Sequence, residues 1–137
     1  LKAYGNSKLA NLYFIRELSV RLMSNGSSMI AVAAHPGYSD SELLVHRANG
    51  EARSFRENIM RWANRNVAQS TEMGVLPTLY AATASDVKNG GFYGPDGLLE
   101  IKGYPKECKI SRKKIDDRAQ KRLWEYSEEL TGLRFNV

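Results

Sequence analysis

Met29-Ile30-Ala31-Val32-Ala33-Ala34, closed by His35-Pro36-Gly37, is the stretch on which the fold turns. The apolar run is too short for a helix and has no polar alternation. It therefore reads as a short strand buried on both faces, as in a parallel sheet. Pro36 and Gly37 stop it, because the proline cannot donate to a ladder and the pair favours a turn.

Upstream, Leu12, Ile15, Leu18 and Leu22 recur at helical spacing, with Leu9 and Ala10 nearby. That spacing predicts a helix over residues 3–24, ended by Asn25-Gly26, which both tolerate positive φ. Downstream, residues 38–50 read as a loop or mobile short helix rich in Ser, Asp and Gly, and residues 53–66 as a polar helix carrying Phe55, Ile59, Met60 and Trp62. Residues 70–84 read as a further helix capped by Ser70 or Thr71, with Pro77 bending it or marking a late start. Residues 89–97 hold five glycines and prolines around Phe92-Tyr93. They read as a strand entering a Pro95-Asp96-Gly97 turn, with Leu98 to Ile101 extended beyond it. Ser111 is the expected cap of a final helix whose Ile115, Ala119, Leu123, Tyr126 and Leu130 form one apolar stripe, ended by Gly132. Helices alternating with strands predict an α/β sheet with helical cover.

The chain has 137 residues, 42% apolar and 26% charged, the size and composition of one folded domain. One cysteine and two histidines, without paired ligand spacing, speak against a zinc site and exclude an internal disulfide. A reducing, cytoplasmic setting fits this best. The longest apolar run, Met29 to Ala34, is far below the roughly 18 residues that a membrane span needs, and no signal peptide is visible. The net charge is +5, concentrated around Lys106, Lys109, Arg112 to Lys114 and Arg118 to Arg122. Acidic Asp116, Asp117, Glu125, Glu128 and Glu129 interleave there. This reads as a solvated face and not as a nucleic-acid surface.

Tyr4 and Lys8 carry the chemistry. At one helical turn apart they lie about 40° apart around the helix and about 6 Å along it, so they share a face near its N-terminus. In a βαβ unit the crossover helix starts at the sheet edge where the next strand ends. Tyr4 and Lys8 are therefore expected at the same edge as His35-Pro36-Gly37, the edge where open α/β sheets bind ligands. A free tyrosine titrates near about 10; a neighbouring ammonium favours its phenolate and suits it to exchange a proton with an alcohol or carbonyl oxygen.

These residues resemble the short-chain dehydrogenase/reductase family. Tyr4-Gly5-Asn6-Ser7-Lys8 matches its Y-x-x-S-K segment, and Leu9-Ala10-Asn11 is also typical. His35 to Leu43 looks like the P-G-x-x-x-T-x-L loop, with Ser41 where threonine is usual. Phe92 to Gly97 and Leu123 to Gly132 look like the branch with retinol-dehydrogenase-like and protochlorophyllide-reductase-like members. The resemblance implies a Rossmann-type doubly wound parallel sheet with helices on both faces. Residues 1–137 would be the C-terminal half of a single such domain. It implies Tyr4 as general acid/base and Lys8 tuning it and holding the ribose of NADP or NAD, NADP being favoured. Pro36, Gly37, Tyr38 and Ser39 would lie along the nicotinamide, the Ser41 hydroxyl would stand near its carboxamide or a phosphate, and residues 38–66 would vary with the carbonyl or alcohol substrate.

The family's G-x-x-x-G-x-G phosphate loop and its catalytic serine and asparagine have no counterpart in these residues. Gly90, Gly91, Gly94 and Gly97 come beside a strand and a turn and do not open a helix, so they are no phosphate cradle. His35 and His46 read as structural and surface residues, and the sequence around Cys108 shows no motif of a nucleophile. The alternative to an oxidoreductase is a fragment inactive alone that acts as a homodimerisation module through Leu9, Tyr13, Phe14 and Glu17.

Overall fold

The structure is a computed structural model that describes residues 2–37, 69–111 and 115–135. The expected loop or short helix over 38–50 and helix over 53–66, with His46, Phe55 and Trp62, lie outside the described residues. Three α-helices are described: α1 (Lys2–Ser24), α2 (Thr71–Thr83) and α3 (Asp117–Thr131). Strands β1 (Ala33–Ala34), β2 (Phe92–Pro95) and β3 (Pro105–Glu107) form a sheet in the order β1-β2-β3. The chain divides into two compact units. The first holds Leu1–Ala33, Ser85–Phe92 and Cys108–Val137, and the second holds Ala34–Ala84 and Tyr93–Glu107.

The first unit is built on α1 and α3. The helix expected over 3–24 is present as α1. Its end is a Schellman closure, with Gly26 N–H donating to Met23 O (3.2 Å) and Ser27 N–H to Leu22 O (3.0 Å). Leu22 and Trp124 are buried where the two helices pack. Phe14 stacks on Trp124 with ring centroids 5.2 Å apart, and the Arg21 guanidinium lies 4.6 Å from the Trp124 ring. The apolar stripe foreseen for the last helix is not the buried face: Tyr126 is 57% and Leu130 68% exposed, while Gln120 and Trp124 are buried. The tryptophan is larger than any stripe residue and turns the helix so that its ring is covered. The N-cap is Asp116, not Ser111; its carboxylate accepts from Arg118 and Ala119 N–H. Gly132 ends the helix as expected.

In the same unit Asn89 ties α1 to the apolar run. Its amide donates to Ser19 O (2.9 Å) and accepts from Ala31 N–H (2.9 Å). Only Ala31 of that run is fully buried, while Met29 is 59% and Ile30 50% exposed. Burial on both faces is therefore corrected: an apolar run is buried only where another element covers it, and Asn89 to Gly91 cover its second half. Phe14 and Glu17, expected on a dimer surface, are engaged within the chain, the first with Trp124 and the second, buried, with Arg21 (2.9 Å).

The second unit packs α2 near β3. Ser70 caps α2 by accepting from Met73 N–H, as expected. Its hydroxyl also helps hold Glu72 below the usual carboxylate range, after the stronger contribution of the Glu72 backbone N–H. Pro77 sits inside α2 and marks no late start; it is fully buried, and packing keeps a residue that disfavours the helix interior. Tyr80 meets Tyr93 with centroids 5.5 Å apart. β2 and β3 pair antiparallel, with Tyr93 opposite Glu107 and Pro95 opposite Pro105. β1 and β2 are parallel: Ala33 N–H donates to Gly91 O and His35 N–H to Tyr93 O, so donor and acceptor advance together. The sheet is thus mixed. Leu98–Glu100 is a 3-10 turn and not the extended stretch foreseen there; the returning strand is β3. Asp96 folds the chain back, its N–H donating to Tyr104 O and its carboxylate accepting from Tyr104 N–H, both at 2.8 Å.

Candidate active site

Tyr4 and Lys8 stand in the first turns of α1, in the first unit, on one face as their spacing requires. The Lys8 ammonium lies 5.4 Å from the centroid of the Tyr4 ring, within cation–π range. Tyr4 is 55% exposed and Lys8 is exposed, so both polar ends are accessible to a ligand. Ser7, the third residue of the motif, donates to Tyr4 O at 2.8 Å and braces the helical turn.

Pro36 and Gly37 belong to the second unit. Gly37 has φ +69, a left-handed conformation that favours glycine. A Cβ there would collide with Ile101 O and with Pro95 Cγ at 2.7 Å, so only a bare backbone fits. His35 is structural, as expected. Its Nδ1 accepts from Gly37 N–H (3.2 Å), which leaves the ring proton on Nε2, 3.3 Å from Glu100 Oε2. The same ring lies so close to Gly94 that any side chain at 94 would meet it. Gly94 thus acts through close packing, where the sequence shows only a turn-rich stretch. Tyr38, Ser39 and Ser41 lie outside the described residues.

Two residues that sequence reasoning passed over hold this loop. Gln69, buried, donates through Nε2 to Pro36 O and accepts through Oε1 from Gly103 N–H (3.1 Å). Glu100 faces His35 from the 3-10 turn. Neither carried a signal: each gets its role from groups distant in the chain, and no periodicity or motif includes it.

No protein-family model matches the chain. Curated relatives do. Dehydrogenase/reductase SDR family member 13 of Bos taurus is 34% identical over 135 residues, covering 97% of this chain and 32% of that protein. Retinol dehydrogenase 12 of Homo sapiens is 34% identical over 137 residues, 97% of this chain and 37% of its own length. Short-chain dehydrogenase TIC 32 A, chloroplastic, of Brassica napus is 30% identical over 133 residues, 94% of this chain and 36% of its own length. A crystal structure of an uncharacterized protein from Mycobacterium Paratuberculosis superposes with a TM-score of 0.65 at 33% identity, covering 98% of this chain and 40% of that one. The chain belongs to the short-chain dehydrogenase/reductase family. It spans about a third of the length of the curated relatives it matches. Among the described residues no helix is long and apolar enough to cross a membrane.

Proposed function

We propose that the chain is the acid/base half of an NAD(P)-dependent oxidoreductase that interconverts a carbonyl and an alcohol, within a Rossmann-type domain of which residues 1–137 are the C-terminal half. The observation that carries the reading is the Tyr4/Lys8 pair, its ammonium 5.4 Å from the ring and both groups accessible at the start of α1.

The residues suit a nicotinamide dinucleotide. Lys8 offers three donors to ribose hydroxyls, and Gly37, packed against Ile101 O and Pro95, keeps the loop backbone in one conformation. Tyr4, Lys8, Pro36 and Gly37 would hold it, joined by Tyr38, Ser39 and Ser41. When bound, that group supplies or accepts the hydride. Tyr4 gives its hydroxyl proton to the carbonyl oxygen in reduction and takes it from the alcohol in oxidation. Lys8 stabilises the negative charge that develops on the Tyr4 oxygen. The family resemblance favours NADP over NAD.

The test is the full-length protein carrying Tyr4→Phe, assayed with NADPH and NADH against aldehydes and ketones. Retinaldehyde belongs in the panel, since several of the similar proteins are named retinol dehydrogenases. Loss of the proton donor should lower kcat by about 100-fold or more, with cofactor affinity little changed. Turnover close to the unmodified protein's would sink the assigned role.

A further inference from the structure

Gln69 stands two residues before α2, in the second unit, and is 6% exposed. Both halves of its amide are used. Nε2 donates to Pro36 O and Oε1 accepts from Gly103 N–H, partners 33 and 34 residues away in the chain. A buried amide satisfied at both ends by main chain holds two segments in fixed relation, because breaking either contact strands a buried polar group.

The loop it grips is held from the other side as well. Gly37 N–H donates to His35 Nδ1, and the carbonyls of Glu100 and Ile101 lie where a Cβ of Gly37 would go. Leu99 and Glu100 themselves have φ of 55 and 56. Such conformations are unfavourable for residues with side chains and persist where the surroundings over-determine them. The contact of Glu100 with His35 is one such determinant.

We infer that Gln69 is a positioning residue for the cofactor: its amide sets the Pro36–Gly37 backbone in the conformation that meets the nicotinamide. This rests on the NAD(P) reading above. Gln69 touches no reacting atom. It acts through the Pro36 carbonyl, so its removal lowers cofactor affinity more than the rate of the chemical step.

Gln69→Glu separates the two ends of the amide. The carboxylate still accepts from Gly103 N–H but turns a second acceptor toward the Pro36 carbonyl. Protonation restores a donor there, and burial favours the protonated form. In the full-length protein, NADPH and NADH are titrated by fluorescence from about pH 8 down to about pH 5, alongside kcat and cofactor KM. At the upper pH, Gln69→Glu should raise the dissociation constant and KM about tenfold, with kcat changed less than about twofold. The ratio to wild type should fall back toward one in acid. Gln69→Met, which lacks a donor at any pH, should show the loss without the recovery.

Wild-type affinity in both variants overturns the inference, as does a loss in Gln69→Glu that acid does not reverse. Should the variants not fold, the side-chain amide protons of Gln69 in the wild-type protein report instead. They should shift on addition of NADPH, and resonances that stay put count against the role. Unmodified protein that binds neither cofactor sinks both this inference and the reading beneath it; binding unaffected by the substitutions sinks this one alone.

Discussion

Trp124 has its indole N–H 2.9 Å from Glu128 Oε1, and the same oxygen accepts from Phe135 N–H at 3.2 Å. One carboxylate thus pins the tryptophan that fills the α1–α3 interface and the strand of chain beyond α3. Those contacts hold Glu128 below the usual carboxylate range, the Phe135 backbone N–H contributing most and the Trp124 indole next. A carboxyl lowered in the folded state stabilises the fold above its unfolded pKa and loses that contribution as pH falls through the folded one. The Trp124 indole N–H resonance should therefore titrate in acid, below the usual carboxylate range. Glu128→Gln, which keeps an oxygen acceptor but no charge, should abolish that titration and flatten the acid limb of the stability curve. An indole resonance that does not move between neutral and strongly acidic pH would contradict this. At this scale the sequence was informative about Tyr4 and Lys8, because one helical turn puts them together whatever surrounds the helix. It was silent about Trp124, Gln69 and Glu100, whose partners come from elsewhere in the fold.

Among the elements, caps separate two readings of the last helix. The run from Ser111 has the composition of a helix start, yet Asp116 accepts from Arg118 and Ala119 N–H at 3.0 and 3.1 Å. Replacing Asp116 by Ala should destabilise the protein by about 1 kcal/mol. Ser111→Ala should change stability by less than about 0.5 kcal/mol. Urea denaturation of both variants checks the assignment, and the reverse ranking would restore Ser111. Both residues are competent caps, and the choice falls where α3 must begin for Trp124 to meet Phe14 and Arg21. The 3-10 turn at Leu98–Glu100 shows the same thing. Apolar residues after a turn read as extended, but Asp96 and Gly97 hydrogen-bond to Tyr104 and Lys102 and close a wider loop.

The described chain forms a three-stranded mixed sheet, and its curated relatives are about three times as long. The phosphate-binding glycine motif has no counterpart in these residues. On the proposed reading the isolated 137 residues should bind NADPH with a Kd above about 1 mM, less than about 4 kcal/mol of binding, whereas the full-length protein should bind measurably. Isothermal titration of both compares them directly, and micromolar binding by the isolated chain would refute the division of the site. Helix α1 and its stop, the Ser70 cap, β2 with the turn after it and the Tyr4/Lys8 pair are legible in the linear chain. They depend on local spacing, capping chemistry and backbone freedom, which neighbours a few residues away supply. The burial of Ala31 beside exposed Met29 and Ile30, the Trp124 face of α3 and the frame of His35, Gln69 and Glu100 around Pro36–Gly37 exist only once the chain is folded. Each is a contact between segments distant in sequence, settled by which surfaces cover one another and which buried donors find acceptors.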